Sequence, residues 1–333
     1  SYYSIYFLSN TILIMKKITL SLLFSFLLFS CEDMETVVNL DIPPHTPVLV
    51  LNSIIDTDSE VRVLVSHSVG AFEQIIPSCI TDAEVLLFEN NQFVDTLMVD
   101  LINTDSVYYF NSLGESQILM NYYTSDIIPN SGSTYSVEVN HPNYESITAS
   151  TYVPEDVIIY NIQIDTVTDA EKIGFIFSFN DNGGQQNYYR LKIFSSCMKT
   201  FIDEDGDTLD YGYSGRLEMM SNDPSFPGGI PFEGYTFEGS QVVFTDDLFN
   251  GQEKNISIDV ESEDFRYSDC DTVTIQFSTF SDDTYSYYNS LGDHSEKGEL
   301  GLFGGEVIPV YSNVENGLGV LISVNAQNIQ LKP

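Results

Sequence analysis

Apolar and polar residues alternate in short bursts from residue 47 onward. "VLVLNSI", "VRVLVSHS", "AEVLLFE" and "QFVDTLMV" are short segments rich in apolar and β-branched residues and read as strands. "IDTDSE" separates the first pair as a turn, and Asn90-Asn91 separates the second as a hairpin turn. "VYYFNS" and "QILMNYY" follow. A Gly-Ser turn then precedes an alternating strand from Tyr135 to Asn140, and a His-Pro-Asn turn leads to a last strand ending at Pro154. Short strands at regular spacing predict a sandwich over residues 47–153, of immunoglobulin or transthyretin type.

"YVPEDVIIY" marks a boundary, and residues 154–333 read as a larger antiparallel β domain. Its strands are "VIIYNIQID", "KIGFIFSFND", "NYYRLKIFSS", "NISIDVE", "DTVTIQFSTF" and the closing "GLGVLISVNAQNIQL". "SDDTYSYYNSLGDH" breaks the pattern. A Ser/Asp start and Tyr285, Tyr288 and Leu291 at helical spacing predict one short helix. Tyr285 and Tyr288 should face the protein and Tyr287 the outside. The Gly/Pro-rich stretch Ser221 to Ser240 is long for a loop, a length associated with function or mobility. The fold class is therefore mainly β, with two domains.

Upstream of residue 47 the pattern changes. Met15, Lys16 and Lys17 form a short positive region, and Ile18 to Phe29 is apolar without a charge. Leu28, Phe29, Ser30 and Cys31 read as a lipobox, so residues 1–30 are a secretory leader and Cys31 is the lipidated residue. Met15 is the expected true start. The competing reading is an uncleaved anchor, but the run falls short of the roughly 20 apolar residues a span requires. Residues 31–46 form an acidic tether. Glu32, Asp33 and Glu35 follow the cysteine and resemble the signal that sends lipoproteins of Bacteroidota to the outer face of the outer membrane. The alternative is a solvated acidic linker.

The 333 residues carry 49 acidic against 12 basic side chains, a formal charge of -37. Phosphate recognition needs clustered Lys and Arg, so nucleic acid is excluded as a partner. Cations, neutral ligands and basic protein patches remain. There are 22 Phe, 21 Tyr and no Trp. With Cys31 committed to lipid, Cys197 and Cys270 are the expected disulfide, since both fall in the second domain, and Cys79 is left free.

The strongest local constellation is "FIDEDGDTLDYGY". Asp203, Asp205, Asp207 and Asp210 surround Gly206 with hard oxygen ligands of the kind Ca2+ takes, although the spacing is not that of an EF-hand. The alternative is a solvated hairpin tip. Asp246-Asp247 and Asp282-Asp283 stand where they can cap a turn or helix start. His45, His67, His141 and His294 are scattered, and no nucleophile, phosphate-loop or dinucleotide motif occurs.

"FTDDLFNGQE" (Phe244 to Glu253), "DTVTIQFSTFSDDTYSYYNSL" (Asp271 to Leu291) and "IPVYSNVENGLGVL" (Ile308 to Leu321) resemble a family of Bacteroidota lipoproteins, domain of unknown function 4249. The opening "CEDMETVVNLDIP" matches as well. The resemblance implies an outer-membrane lipoprotein, often encoded near TonB-dependent receptors, and it implies no catalytic residues. The expected function is a surface-exposed, non-catalytic binding or accessory role beside a TonB-dependent receptor or other outer-membrane protein. The alternatives are a calcium-dependent adhesin and, behind it, a glycan or peptide hydrolase.

Overall fold

The computed structural model describes residues 45–70, 78–111, 114–169, 172–202, 206, 208–221, 223–226, 242–261, 272–298 and 308–332. The described residues form nineteen strands and one helix, so the protein is mainly β.

The first half supplies β1 (Leu49–Asp56), β2 (Arg62–His67), β3 (Glu84–Glu89), β4 (Gln92–Val99), β5 (Asp105–Asn111), β6 (Gly114–Met120), β7 (Tyr122–Thr124), β8 (Thr134–Asn140) and β9 (Ile147–Tyr152). Alternation becomes burial directly. Leu49, Leu51, Ser53 and Ile55 of β1 are buried, as are Tyr135, Val137 and Val139 of β8. Asn90 and Asn91 both take positive φ, 49° and 63°, the backbone of the tight turn expected between β3 and β4. The strands run in the order β1-β2-β7-β4-β3-β8-β9 around one core that includes Leu51, Val63, Val85 and Ile147. A buried hydroxyl needs partners. That of Tyr123 donates to Ile80 O at 3.0 Å and accepts from Ala83 N–H at 2.9 Å.

The second half contains β10 (Tyr160–Asp169), β11 (Lys172–Asn180), β12 (Tyr188–Ile202), β13 (Thr208–Arg216), β14 (Met219–Met220), β15 (Val242–Thr245), β16 (Glu253–Glu261) and β17 (Thr272–Phe280). Helix α1 (Asp282–Gly298), β18 (Val314–Glu315) and β19 (Leu318–Leu331) end the chain. Strands β10-β11-β16-β14 make a four-stranded sheet. Its apolar residues share a second core with those of β12 and β17. An aromatic block sits at its centre: the Phe179 ring lies 4.8 Å from Phe277 and 4.9 Å from Tyr189. Such pairs contribute about 0.5–1.5 kcal/mol each beyond their buried area.

Helix α1 begins as its sequence requires. Ser281 Oγ accepts the Thr284 N–H at 3.1 Å, while Asp282 and Asp283 occupy the first turn, where the helix dipole favours negative charge. Tyr285 stacks on Tyr188 at 4.1 Å and Tyr288 on Phe280 at 5.8 Å. Tyr287, expected outside, is half-buried and lies 5.5 Å from Tyr288.

The expected purely antiparallel arrangement needs correction, because the large sheet is mixed. The first part of β19 pairs parallel with β1, from Val50↔Leu318 to Asp56↔Val324. The remainder pairs antiparallel with β17, from Phe280↔Val324 to Val273↔Leu331. The physical reason is visible in "VLISV". This run, apolar but for Ser323, suits a strand covered on both faces, and Leu321, Ile322 and Ser323 are almost wholly buried. Two glycines permit the approach. Gly319 has φ of +103°, and a Cβ there would fall 2.0 Å from Leu51 O. At Gly317 a Cβ would fall 2.7 Å from Leu49 O. Strand β18 pairs with β9, and Val314 and Leu321 join the first core. The closing segment therefore belongs to both halves.

Candidate functional site

Where β1 ends and β19 runs on alone beside β17, a cavity of about 640 Å³ opens between the two halves. Thr57 and Asp58, residues 129–131 and residues 156–158 line it, with Phe277 and Thr279 of β17 and Asn325 to Asn328 of β19. Its frame is made of side-chain amides. Asn325 Nδ2 donates to Pro154 O at 3.0 Å and to Asp156 Oδ1 at 2.8 Å, and its Oδ1 accepts from Thr57 Oγ1 at 3.0 Å. One buried side chain thus ties β1, the connection between the halves, and β19. Gln327 Oε1 accepts the Ile159 N–H at 2.9 Å. Asn328 Nδ2 reaches Asp58 Oδ2 at 3.3 Å and its Oδ1 accepts from Gln276 at 3.1 Å.

Among the described residues, the formal charges on the cavity lining are the carboxylates Asp58 and Asp156. Behind it, burial holds the Asp56 carboxyl above the usual range. The Asp58 N–H, at 3.0 Å, pulls it back, the Asp58 charge adds to the rise, and Arg190 opposes it. The arrangement can hydrogen-bond neutral polar groups or hold a cation, and it repels anions.

Two further polar constellations are closed joints. In the first, the Tyr189 hydroxyl donates to Asp181, whose other oxygen accepts the Gly251 N–H at 2.6 Å. Asn187 Nδ2 lies within 3.3 Å of Asp181 and 3.2 Å of Asp246. Burial raises the Asp246 carboxyl above its ordinary value, and the Asp181 charge adds to this. Burial also raises the Tyr189 hydroxyl, followed by its bond to Asp181. Asp246 is 1% exposed and Tyr189 fully buried, so the paired carboxylates have no open face for a substrate. They knit the turn after β11 to the turn after β15. A Cβ on Gly183 would come within 2.8 Å of Gly251 Cα.

The second joint is a seam of hydroxyls between the halves. Thr151 Oγ1 lies 3.0 Å from Asp283 and 3.2 Å from Ser281 Oγ. Thr284 Oγ1 donates to Ser323 O at 2.6 Å, and Ser323 Oγ to Tyr152 O at 2.6 Å. Tyr311 donates to Asp283 at 2.6 Å. Its hydroxyl is raised by burial first and by the Asp283 carboxylate second. The three stretches that carry the family resemblance each contribute residues to these joints or to the β19 crossing.

The other expected sites stand as follows. Cys31, Glu32, Asp33 and Glu35 lie outside the described residues, as do Asp203, Asp205, Asp207 and Cys270. Of that stretch Gly206 is described, with φ +87°, and Ile202 and Thr208 are register partners of β12 and β13. Asp210 sits opposite Thr200 and Cys197 opposite Tyr213 in that ladder. Cys79 is a free cysteine, its sulfur 3.4 Å from Leu119 O. Of the long loop from Ser221, the described start is anchored by Lys254 to Asp223 at 2.7 Å and by Phe226 against Phe244 at 5.0 Å. Asp247 accepts from Thr245 Oγ1 at 2.7 Å. Among the described residues no three His, Cys, Asp or Glu side chains converge as metal ligands, and no helix is long and apolar enough to cross a membrane.

The cleft residues Asn325 and Gln327 were not anticipated. Their signal is the polar run "NAQNIQ" that follows the apolar part of β19, with the two amides two apart and hence on one face.

The family model described as Domain of unknown function (DUF4249) matches residues 35–330. No curated protein matches the sequence. Among solved structures, a candidate carbohydrate-binding protein from Bacteroides uniformis is similar at 11% identity, covering 87% of this chain and 100% of its own, with a TM-score of 0.21. The B domain of a biofilm-associated protein is similar at 8% identity, covering 85% and 86%, with a TM-score of 0.19. Likenesses this distant carry no argument about ligand or fold.

Proposed function

The chain belongs to the DUF4249 family, and from that premise we propose that it is a lipid-anchored outer-membrane protein of Bacteroidota, exposed at the cell surface, that binds rather than catalyses. Its anchor is Cys31 and its export signal Glu32, Asp33 and Glu35. It serves as an accessory to an outer-membrane barrel of the TonB-dependent receptor class. The N-terminal lobe is an immunoglobulin- or transthyretin-like sandwich.

The observation that supports binding is the cleft itself. Its amides are held by hydrogen bonds that link Asn325 to Thr57 and Asp156, Asn328 to Asp58 and Gln327 to Ile159, so the recognition groups are pre-positioned, which lowers the ordering cost of binding. Amides, hydroxyls and two carboxylates suit a small neutral or cationic ligand with several hydrogen-bonding groups. The test is calorimetry on the mature chain with neutral oligosaccharides and short cationic peptides. Binding should saturate for at least one class and be lost in an Asp58→Ala, Asn328→Ala double variant. A bound ligand that this variant holds with unchanged affinity would place recognition elsewhere.

A further inference from the structure

Between β4 and β7 the chain leaves the main sheet. It runs out along β5, returns along β6, and re-enters at Tyr122. Among the described residues these two strands pair only with each other, from Asp105↔Met120 to Asn111↔Gly114. A lone two-stranded hairpin is marginal in water, and this one carries apolar side chains into solvent. Val107, Tyr108 and Leu119 are exposed on its strands. At its base Met98 is 71% exposed, Leu101 64% and Ile102 89%. Tyr108 and Leu119 share one face of the hairpin, since Ser106 pairs with Leu119 and Tyr108 with Gln117, and clustered exposed apolar residues mark interaction surfaces.

The presentation is built rather than slack. Asp100 Oδ1 accepts the N–H groups of Ile102 at 2.8 Å and Asn103 at 2.9 Å, and its Oδ2 accepts Asn103 Nδ2 at 2.8 Å. Asn121 Nδ2 holds Asp100 O at 3.2 Å, and Asp100 N–H bonds Tyr122 O at 2.8 Å. Arg62 pins the root of β5 by an ion pair to Asp105 at 3.0 Å, with its guanidinium 4.1 Å from the Tyr122 ring centroid. Leu101 and Ile102 are thereby fixed in an outward-facing turn, as a pre-organised anchor is.

The surrounding charge decides the occupant. No Lys or Arg stands between Arg62 and Lys172, and Arg62 is engaged by Asp105 and Tyr122. Asp100 adds a carboxylate at the base of the hairpin, and the chain as a whole carries a formal charge of -37. A second copy would bring like charge against like, and anionic lipid headgroups would be repelled in the same way.

We propose that the Leu101–Ile102 turn, with the exposed Tyr108 of β5 and Leu119 of β6, is a docking surface for a protein partner whose apolar socket is ringed by Lys and Arg. Apolar anchors in such an interface carry its strength, and the charged rim sets orientation and rate of encounter. The assignment stands on the hairpin geometry and charge alone, independently of the cleft and of the lipid anchor.

The test is photo-crosslinking of the full-length chain, with a photoreactive side chain replacing Leu101, irradiated in the cells that make it. The expected product is an adduct with one other protein, through a peptide that combines apolar residues with Lys or Arg. In the Ile102→Asp background its yield should fall about tenfold. With the purified partner, affinity should fall about tenfold between roughly 0.05 and 0.5 M salt. Ile102 is exposed, so Ile102→Asp should leave the melting temperature unchanged, and a loss of adduct cannot then be attributed to unfolding. Adducts with a second copy or with lipid alone would overturn the proposal. So would an adduct indifferent to Ile102→Asp or to salt, or no adduct.

Discussion

Gly319→Ala places a methyl group where the parallel pairing of β1 with β19 leaves no space. The residue has φ of +103°, a conformation that costs an alanine about 1–2 kcal/mol, and its Cβ would sit 2.0 Å from Leu51 O. That oxygen is backbone, so no rotamer change relieves the collision. Strand β1 must retreat by more than an ångström to reach ordinary contact. A ladder hydrogen bond stretched that far is lost, at about 1 kcal/mol each, and Leu49 and Leu51 are pulled from their core. The expected destabilisation is about 3–5 kcal/mol, at the upper end for a point substitution. Gly184→Ala is the control. Its φ is +101°, but nothing lies within 4 Å of the added Cβ, so only the conformational cost of about 1–2 kcal/mol applies. Urea unfolding monitored by tyrosine fluorescence, there being no tryptophan, reads both. Gly319→Ala should lower the midpoint well below Gly184→Ala at unchanged slope. If the two variants agree within about 0.5 kcal/mol, the close β1–β19 crossing is not how the two halves are joined.

Two further outcomes follow from the joints. Ser281→Ala removes the cap of α1 and a member of the hydroxyl seam; it should cost about 1–2 kcal/mol and reduce helical circular dichroism, whereas unchanged stability would show the seam to be incidental. Burial raises the Asp246 carboxyl in the folded protein, so folding favours its protonated form: that contribution is complete below the ordinary value of 3.8 and is lost as pH rises through the raised one. Asp246→Asn freezes the neutral form. Relative to wild type the variant should therefore gain stability as pH is raised from about 4 to 7, and a difference independent of pH would contradict the burial argument.

The strands were readable because burial on one face leaves a period of two. β1 and β8 alternate between buried and less buried positions along their length, and Asn90-Asn91 turns as its two short amides allow. Helix α1 was readable from Ser281 and the tyrosine spacing. The partner of β19 was not. β1 and β19 lie more than 260 residues apart, and an apolar run such as "VLISV" announces coverage on both faces without naming what covers it. The cleft was hidden for the same reason. Asn325 acts through Thr57, Pro154 and Asp156, which are neighbours only after folding. Asp246 and Asp283 looked like local caps. Their main partners, Asn187 for one and Thr151 and Tyr311 for the other, come from distant strands and loops, so sequence spacing could suggest a structural role but not the joint each one closes.

Attachment to a membrane through Cys31 is the claim on which the surface-binding account rests. Metabolic labelling with a palmitate analogue, on wild type and Cys31→Ala, tests it most directly. The account predicts label on the mature wild-type chain and none on the variant; an unlabelled wild type, or equal label on both, would contradict it.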